Sequence, residues 1–189
     1  MHRQSLLSLL RDYRSHHPGE GPCVDRIVSL VEGHSDCFER TCLPGHITAS
    51  SWIVDEDGKR ALLTHHRKLE LWLQLGGHAD GDTDICRVAL REAREESGMA
   101  HFEVLADGFP IDIDVHDIPA RPGEPAHQHH DFRFLLRARP GQPLVISEES
   151  KDLRWFARDE LAPLLGDESI GRMVRKADVL LGKAASAQR

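Results

Sequence analysis

A chain of 189 residues, 40% of them hydrophobic, is long enough for one domain with a substantial core and a small terminal extension. Its formal net charge of −7 and the lack of any long Lys/Arg block disfavour binding to a nucleic acid backbone, while leaving room for a local basic pocket around a small phosphorylated ligand. The four cysteines, Cys23, Cys37, Cys42 and Cys86, contain no CxxC pair, so neither a zinc knuckle nor a redox pair is indicated; they read as small apolar residues and free thiols.

In chain order, Leu6, Leu7, Leu9, Leu10 and Tyr13 recur at helical spacing and predict a helix over 5–17, ended by Pro18 and Gly19. The apolar run before Arg11 and Asp12 is too short for a signal peptide or a membrane span, and a cytoplasmic protein is expected. Ile27, Leu30 and Val31 mark a second helix over 23–31. The two helices are expected to pack on the main domain, to cover part of its cleft, or to make a homodimer. Residues 46–54 and 61–66, with β-branched residues on both sides of the turn Asp55-Glu56-Asp57-Gly58, predict two adjacent strands, with Trp52 in the core. Arg67 and Lys68, just past the second strand, are candidates to reach a substrate phosphate, although solvation is the commoner fate of such residues.

The apolar run Leu71-Trp72-Leu73-Gln74-Leu75 reads as a strand leading into the Gly- and Asp-rich loop 76–82. Thr83 to Ser97 contains no Pro or Gly and predicts a helix, stopped by Gly98. On a wheel of about 100° per residue, Cys86, Ala89, Leu90, Ala93 and Ser97 form a small-residue face. Glu92, Glu95 and Glu96 form a separate acidic stripe. Like charges at i, i+3 and i+4 repel, so the stripe is either a solvated face neutralised by Arg87, Arg91 and Arg94 or a ligand set for a hard divalent cation, Mg²⁺ or Mn²⁺.

At this point the chain resembles the Nudix hydrolases, whose signature is G-x5-E-x7-R-E-U-x-E-E-x-G-U, with U a bulky apolar residue. Gly77, Arg91, Glu92, Glu95, Glu96, Gly98 and Met99 fall in register. Ala93 is a small residue at an apolar position, and Thr83 stands where the family has a glutamate. The resemblance implies that Glu92, Glu95 and Glu96 bind the metal, that Gly77 adds its backbone carbonyl, and that Arg91 orients a glutamate. Asp80, Asp82 or Asp84 would then be a substitute for the missing box carboxylate.

Beyond the box, 101–105 and 109–116 read as strands. In the second, Phe109, Ile111, Ile113 and Val115 alternate with Asp112, Asp114 and His116. The two aspartates suggest either a second metal site or a solvated edge. The loop 119–125, PARPGEP, leads into a strand over 127–136. On it, His130, Phe132, Phe134 and Leu136 face one way and His127, His129, Asp131 and Arg133 the other. A histidine pair at i, i+2 with an aspartate can bind Zn²⁺, yet no further Cys or His has a spacing that completes such a site. The polar face is otherwise expected to border a substrate pocket, with His127 and His129 hydrogen-bonding a base or sugar and Arg133 pairing with a phosphate or carboxylate, or to be a structural polar network. After the breaker cluster 140–143 come an acidic loop, a short strand over 153–156, a helix opening at Arg158 and a final helix over 170–181. In the family an acidic residue in this loop can complete the metal site or act as general base, which implicates Glu148 or Glu149.

The resulting expectation is an α/β fold, a Nudix-type α/β/α sandwich with a mixed β-sheet, comprising a helical N-terminal extension (1–45) and the catalytic domain (46–189). The implied activity is divalent-metal-dependent hydrolysis of a diphosphate bond in a nucleoside diphosphate linked to another moiety, such as a nucleotide sugar or ADP-ribose. The expected partner is that small molecule, with neither nucleic acid nor membrane. Alternatives are a regulatory ligand-binding Nudix domain, a nucleoside triphosphate pyrophosphohydrolase, and an isoprenoid diphosphate isomerase.

Overall fold

The computed structural model describes residues 2–161 and 168–187, the last five of these as backbone only. Two helices come first, α1 (Gln4–His16) and α2 (Gly21–Gly33). Strands β1 (Gly45–Val54), β2 (Arg60–His66), β3 (Trp72–Leu73) and β4 (Leu75–His78) lead to helix α3 (Ile85–Ser97). Then follow β5 (Phe102–Val104), β6 (Asp112–Ile118), β7 (His127–Ala138), β8 (Ser150–Ala157), the single turn α4 (Arg158–Leu161) and α5 (Glu168–Ala187).

The sheet is mixed. Its spine is the parallel pair β1–β7, in register from Gly45↔Gln128 to Val54↔Arg137, and every other pairing is antiparallel. On one flank, β4 pairs with the middle of β1 and β2 with its end, and β2 in turn pairs with β3 and β8. On the other flank, β7 pairs with β6 along its first half and with β5 at its end. The strand expected over 71–75 therefore splits, β3 lying on β2 and β4 on β1. Gly76 and Gly77 belong to β4 and not to a loop. Gly76 opposes Ser50, and a Cβ there would come within 2.4 Å of the Ser50 Cβ, so only glycine permits this pairing.

Alternation along β1 sends its side chains to two cores. Ile47, Ala49 and Ile53 face α3 and the N-terminal helices, and Ser51 donates to the Ala89 carbonyl of α3. Trp52 and Val54 face the opposite layer, with Met173 and Ala177 of α5. The N-terminal helices share one core with the sheet: Leu10, Tyr13, Val24 and Ile27 pack in the cluster that holds Val88, Phe132 and Phe134. This is an α/β/α sandwich. Helix α3 starts two residues later than its composition suggests, because the Asp84 side chain caps it by accepting from the Arg87 N–H. It ends where expected, at Gly98 with φ 70°. Among the described residues no helix is long and apolar enough to cross a membrane.

Candidate active site

Strand β4 and helix α3 bring the box residues together. The Gly76 N–H donates to Glu96 Oε2 at 3.0 Å, seating that carboxylate against the strand. Arg91 donates to Glu92 Oε1 and to the His78 carbonyl, both at 2.6 Å, and so ties Glu92 to the same strand. Gly77 leaves room for this, since a Cβ on it would lie 2.5 Å from Glu92 Oε2. Glu95 points outward, its side chain 63% exposed and 4.0 Å from Arg91. The acidic stripe is thus graded from Glu96, which is buried, through Glu92, partly covered, to Glu95.

That gradation has an electrostatic consequence. Burial pushes the Glu96 carboxyl up to about 8 against the Gly76 hydrogen bond, and Glu92, Glu149 and Glu95 add to the rise. Glu92 is also raised, mainly by burial, with Arg91 opposing and Glu95 and Asp80 adding. Burial and the mutual repulsion of these carboxyls thus favour a proton, or a cation in its place, on the cluster. An oxygen-only donor set in that condition suits a hard divalent cation.

Thr83 is exposed, and each of the three loop aspartates that could replace it has a partner. Asp80 is held by Arg40 at 2.5 and 2.7 Å, Asp82 by Arg87 at 2.6 and 2.8 Å, and Asp84 is the cap of α3. The late acidic loop also approaches the box. The charge of Glu149 is felt by both Glu96 and Arg40. Arg67 fixes that loop through backbone atoms: its Nε donates to the Glu148 carbonyl at 3.0 Å, its Nη2 to the Ser150 carbonyl at 2.8 Å, and its N–H to the Glu149 carbonyl at 2.9 Å. Arg67 is thus engaged as a loop clamp, whereas Lys68 beside it is exposed.

The NUDIX domain model matches residues 44–177. The chain belongs to the NUDIX family. Among solved structures it is similar to a C. elegans Ap4A hydrolase in a binary complex, at 18% identity over 72% of this chain and 98% of that one, with a TM-score of 0.60. It is also similar to a NUDIX-family hydrolase from Clostridium perfringens (23% identity, 71% and 97% covered, TM-score 0.53) and to the M. smegmatis Nudix hydrolase RenU (21%, 71% and 84%, 0.52). No curated protein matches the chain. As a Nudix-type hydrolase it acts on phosphoanhydride bonds.

Elsewhere in this Nudix fold, Arg133 of β7 takes the structural alternative and the aspartates of β6 take neither expected role. Arg133 has a side chain only 3% exposed and donates to Asp131, Asp112 and Asp114 at 3.0–3.3 Å, so it is not presented to a phosphate or carboxylate of a ligand. Asp112 and Asp114 are neither a metal site nor a solvated edge: both also accept from Arg172, and Asp112 accepts from Lys176 at 2.7 Å. Lys176 in turn reaches Tyr13 and Glu20, linking α5 to the N-terminal helices. The polar face is here a structural network. Burial by itself would raise Asp114, but the hydrogen bond from His116 and the charges of Arg133 and Arg172 hold it well below the usual carboxylate range.

His127 and His129 stand beyond that network with three further rings. His46 is 4.9 Å from His127 and 5.0 Å from His129 between centroids, His78 is 5.1 Å from both His46 and His129, and His116 is 5.5 Å from His129. Burial, and then the neighbouring rings, lower the His46 pKa to about 4 and lower that of His129 further, so these imidazoles are neutral. Spacing along the chain showed only the pair on β7, because the other members come from three further strands, β1, β4 and β6, brought beside it by pairing.

Proposed function

We propose that this Nudix protein hydrolyses a diphosphate bond in a nucleoside diphosphate linked to another moiety, such as a nucleotide sugar or ADP-ribose. Mg²⁺ or Mn²⁺ would be held by Glu92, Glu95, Glu96 and the Gly77 carbonyl. The observation that carries the reading is the seating of two partly or fully buried glutamates, Glu92 and Glu96, against the Gly76-Gly77 backbone, with the exposed Glu95 on the same acidic stripe. The bound cation supplies neutralisation of phosphate charge and a lowered pKa for attacking water.

The chain's own residues do the rest. Arg91 orients Glu92, and the Gly76 N–H orients Glu96. Glu149 takes the proton from the attacking water, as a carboxylate whose field reaches Glu96 without belonging to the box. Arg67 holds the Glu149 backbone in place, and exposed Lys68 contacts a phosphate. The head of β7, with His127 and His129, borders the second moiety beside the loop 119–126. Preference for diphosphate-linked sugars over triphosphates rests on that loop and strand. Likeness to an Ap4A hydrolase puts dinucleoside polyphosphates on the same test panel.

The test is Mg²⁺-dependent product release across nucleotide sugars, ADP-ribose, dinucleoside polyphosphates and nucleoside triphosphates, with wild type and E95Q. The expected result is highest kcat/KM on a diphosphate-linked sugar, with E95Q losing both turnover and metal affinity. Wild-type turnover by E95Q would overturn the metal assignment, and a larger kcat/KM for every triphosphate would overturn the substrate class. Thr83 favours a second reading, a regulatory domain that binds such a ligand without turnover; saturable binding with no product from any member of the panel would select it.

A further inference from the structure

We propose that His46, His127 and His129 form a second metal site, independent of the glutamate cluster and selective for a borderline cation of the Zn²⁺ type. One ring nitrogen from each lies within 4.8 Å of the other two. His127 Nε2 and His129 Nε2 are 3.3 Å apart. A tetrahedral ion with Zn–N bonds of about 2.0–2.1 Å has ligand–ligand edges of roughly 3.3–3.4 Å. The pair is thus at ligating separation, and an ion there would replace the His129-to-His127 N–H···N hydrogen bond that has the same span.

The environment matches the demands of such an ion. His127 Nδ1 is 2.9 Å from the Pro125 carbonyl, a partner that takes the Nδ1–H and leaves Nε2 as the lone pair, which is the outer contact a ligating imidazole needs. His46 is buried, and apart from a weak approach to the Cys42 backbone neither of its ring nitrogens is hydrogen-bonded. A buried imidazole that keeps a nitrogen without a good hydrogen-bond partner is costly unless something binds there. The Glu124 carboxylate, 3.7 Å from His127 Nε2 and half-exposed, is a fourth donor beside the triad. Imidazole donors suit Zn²⁺ and its neighbours, whereas the oxygen donors on α3 suit Mg²⁺ or Mn²⁺.

Sheet geometry keeps the two sites apart. His46 pairs directly with His129 across β1–β7, on the face that carries Thr48, Ser50 and Trp52. Helix α3 packs on the opposite face of β1, where Ser51 bonds to it. An ion on the histidines would join β1 to the head of β7 and to the loop carrying Glu124 and Pro125, anchoring that loop beside the proposed substrate moiety.

The test uses the full chain stripped with a chelator and then titrated with Zn²⁺, or with Co²⁺ as a coloured stand-in, in excess Mg²⁺. One equivalent of Zn²⁺ is expected to bind and raise Tm, Co²⁺ to give visible bands of tetrahedral type, and X-ray absorption of the zinc-loaded wild type to show imidazole nitrogens at about 2.0 Å. H129N and H46N, each checked for a native circular dichroism spectrum, should lose more affinity than the roughly 10–100-fold typical of an outer-shell loss. The triple variant E92Q/E95Q/E96Q should still bind. Failure of the wild type to retain Zn²⁺, leaving water as the only occupant, would overturn the proposal. So would an oxygen-only shell, or binding lost in the glutamate variant and kept in the histidine variants. The absorption measurement needs no variant, so a misfolded substitution does not remove the test.

Discussion

At the scale of single residues, two adjacent glycines do different work. Gly76 faces the backbone and Cβ of Ser50, whereas Gly77 faces the mobile end of the Glu92 side chain. We expect Gly76→Ala to destabilise the fold by about 3 kcal/mol or more, since the strand pair itself must move. Gly77→Ala should fold, because Glu92 can swing away, but should lower kcat by at least about tenfold by displacing a proposed ligand. Denaturant midpoints and steady-state kinetics on both variants check the contrast; equal stability losses would contradict it.

Glu148 and Glu149 separate at the same scale. Both are exposed, but the field of Glu149 reaches Glu96. Positioned proton transfer contributes about 10²- to 10⁴-fold, so E149Q should lose at least about 100-fold in kcat and E148Q much less, assayed at saturating Mg²⁺ and substrate. If both retain more than about half of wild-type kcat, the late loop has no catalytic carboxylate.

At the scale of elements, the N-terminal helices are built into the sheet's core. Leu10 is fully buried in the cluster shared with Val88, Phe132 and Phe134. Leu10→Ala should therefore cost about 2–5 kcal/mol in global stability, measured by urea denaturation. A detached extension would give a separate transition and leave the main one unchanged. The helical periodicity of 5–17 and 23–31 was legible in sequence, as was the hairpin at Asp55–Gly58. The splitting of 71–78 between two partners was not, because period-two alternation says which face a residue takes and nothing about which strand lies beside it.

At the scale of the whole molecule, Arg133, Arg172 and Lys176 converge on Asp112, Asp114 and Asp131, and through Lys176 on Tyr13 and Glu20. One buried polar network thus joins the first helix, the sheet and the last helix. Its pH dependence follows from Asp114, whose folded pKa is depressed. A depressed carboxylate stabilises the fold above its unfolded value of about 3.9, and that contribution is lost as pH falls from there toward the folded value. Unfolding free energies between pH 6 and pH 3 should fall steeply below about pH 4 for wild type. D114N should start lower and follow a shallower slope; identical slopes would remove Asp114 from the explanation.

The sequence by itself determined the box helix, its acidic stripe, its glycine stop and the family resemblance, because those features depend on neighbours within a turn or two of helix, and local spacing is what a linear chain displays. It also contained the histidine pair on β7 but supplied no third ligand at a fixed spacing. Tertiary structure alone brought His46 beside that pair, through the parallel register of β1 on β7. It likewise turned Arg133 and the alternating aspartates of β6 from ligand candidates into each other's counter-ions, and tied the loop aspartates to arginines and a helix cap while leaving Glu149 near the box. The physical reason is common to all of these. A side chain's charge partners are chosen by strand pairing and helix packing across tens of residues, and burial then decides whether that charge is neutralised, shifted or left for a ligand.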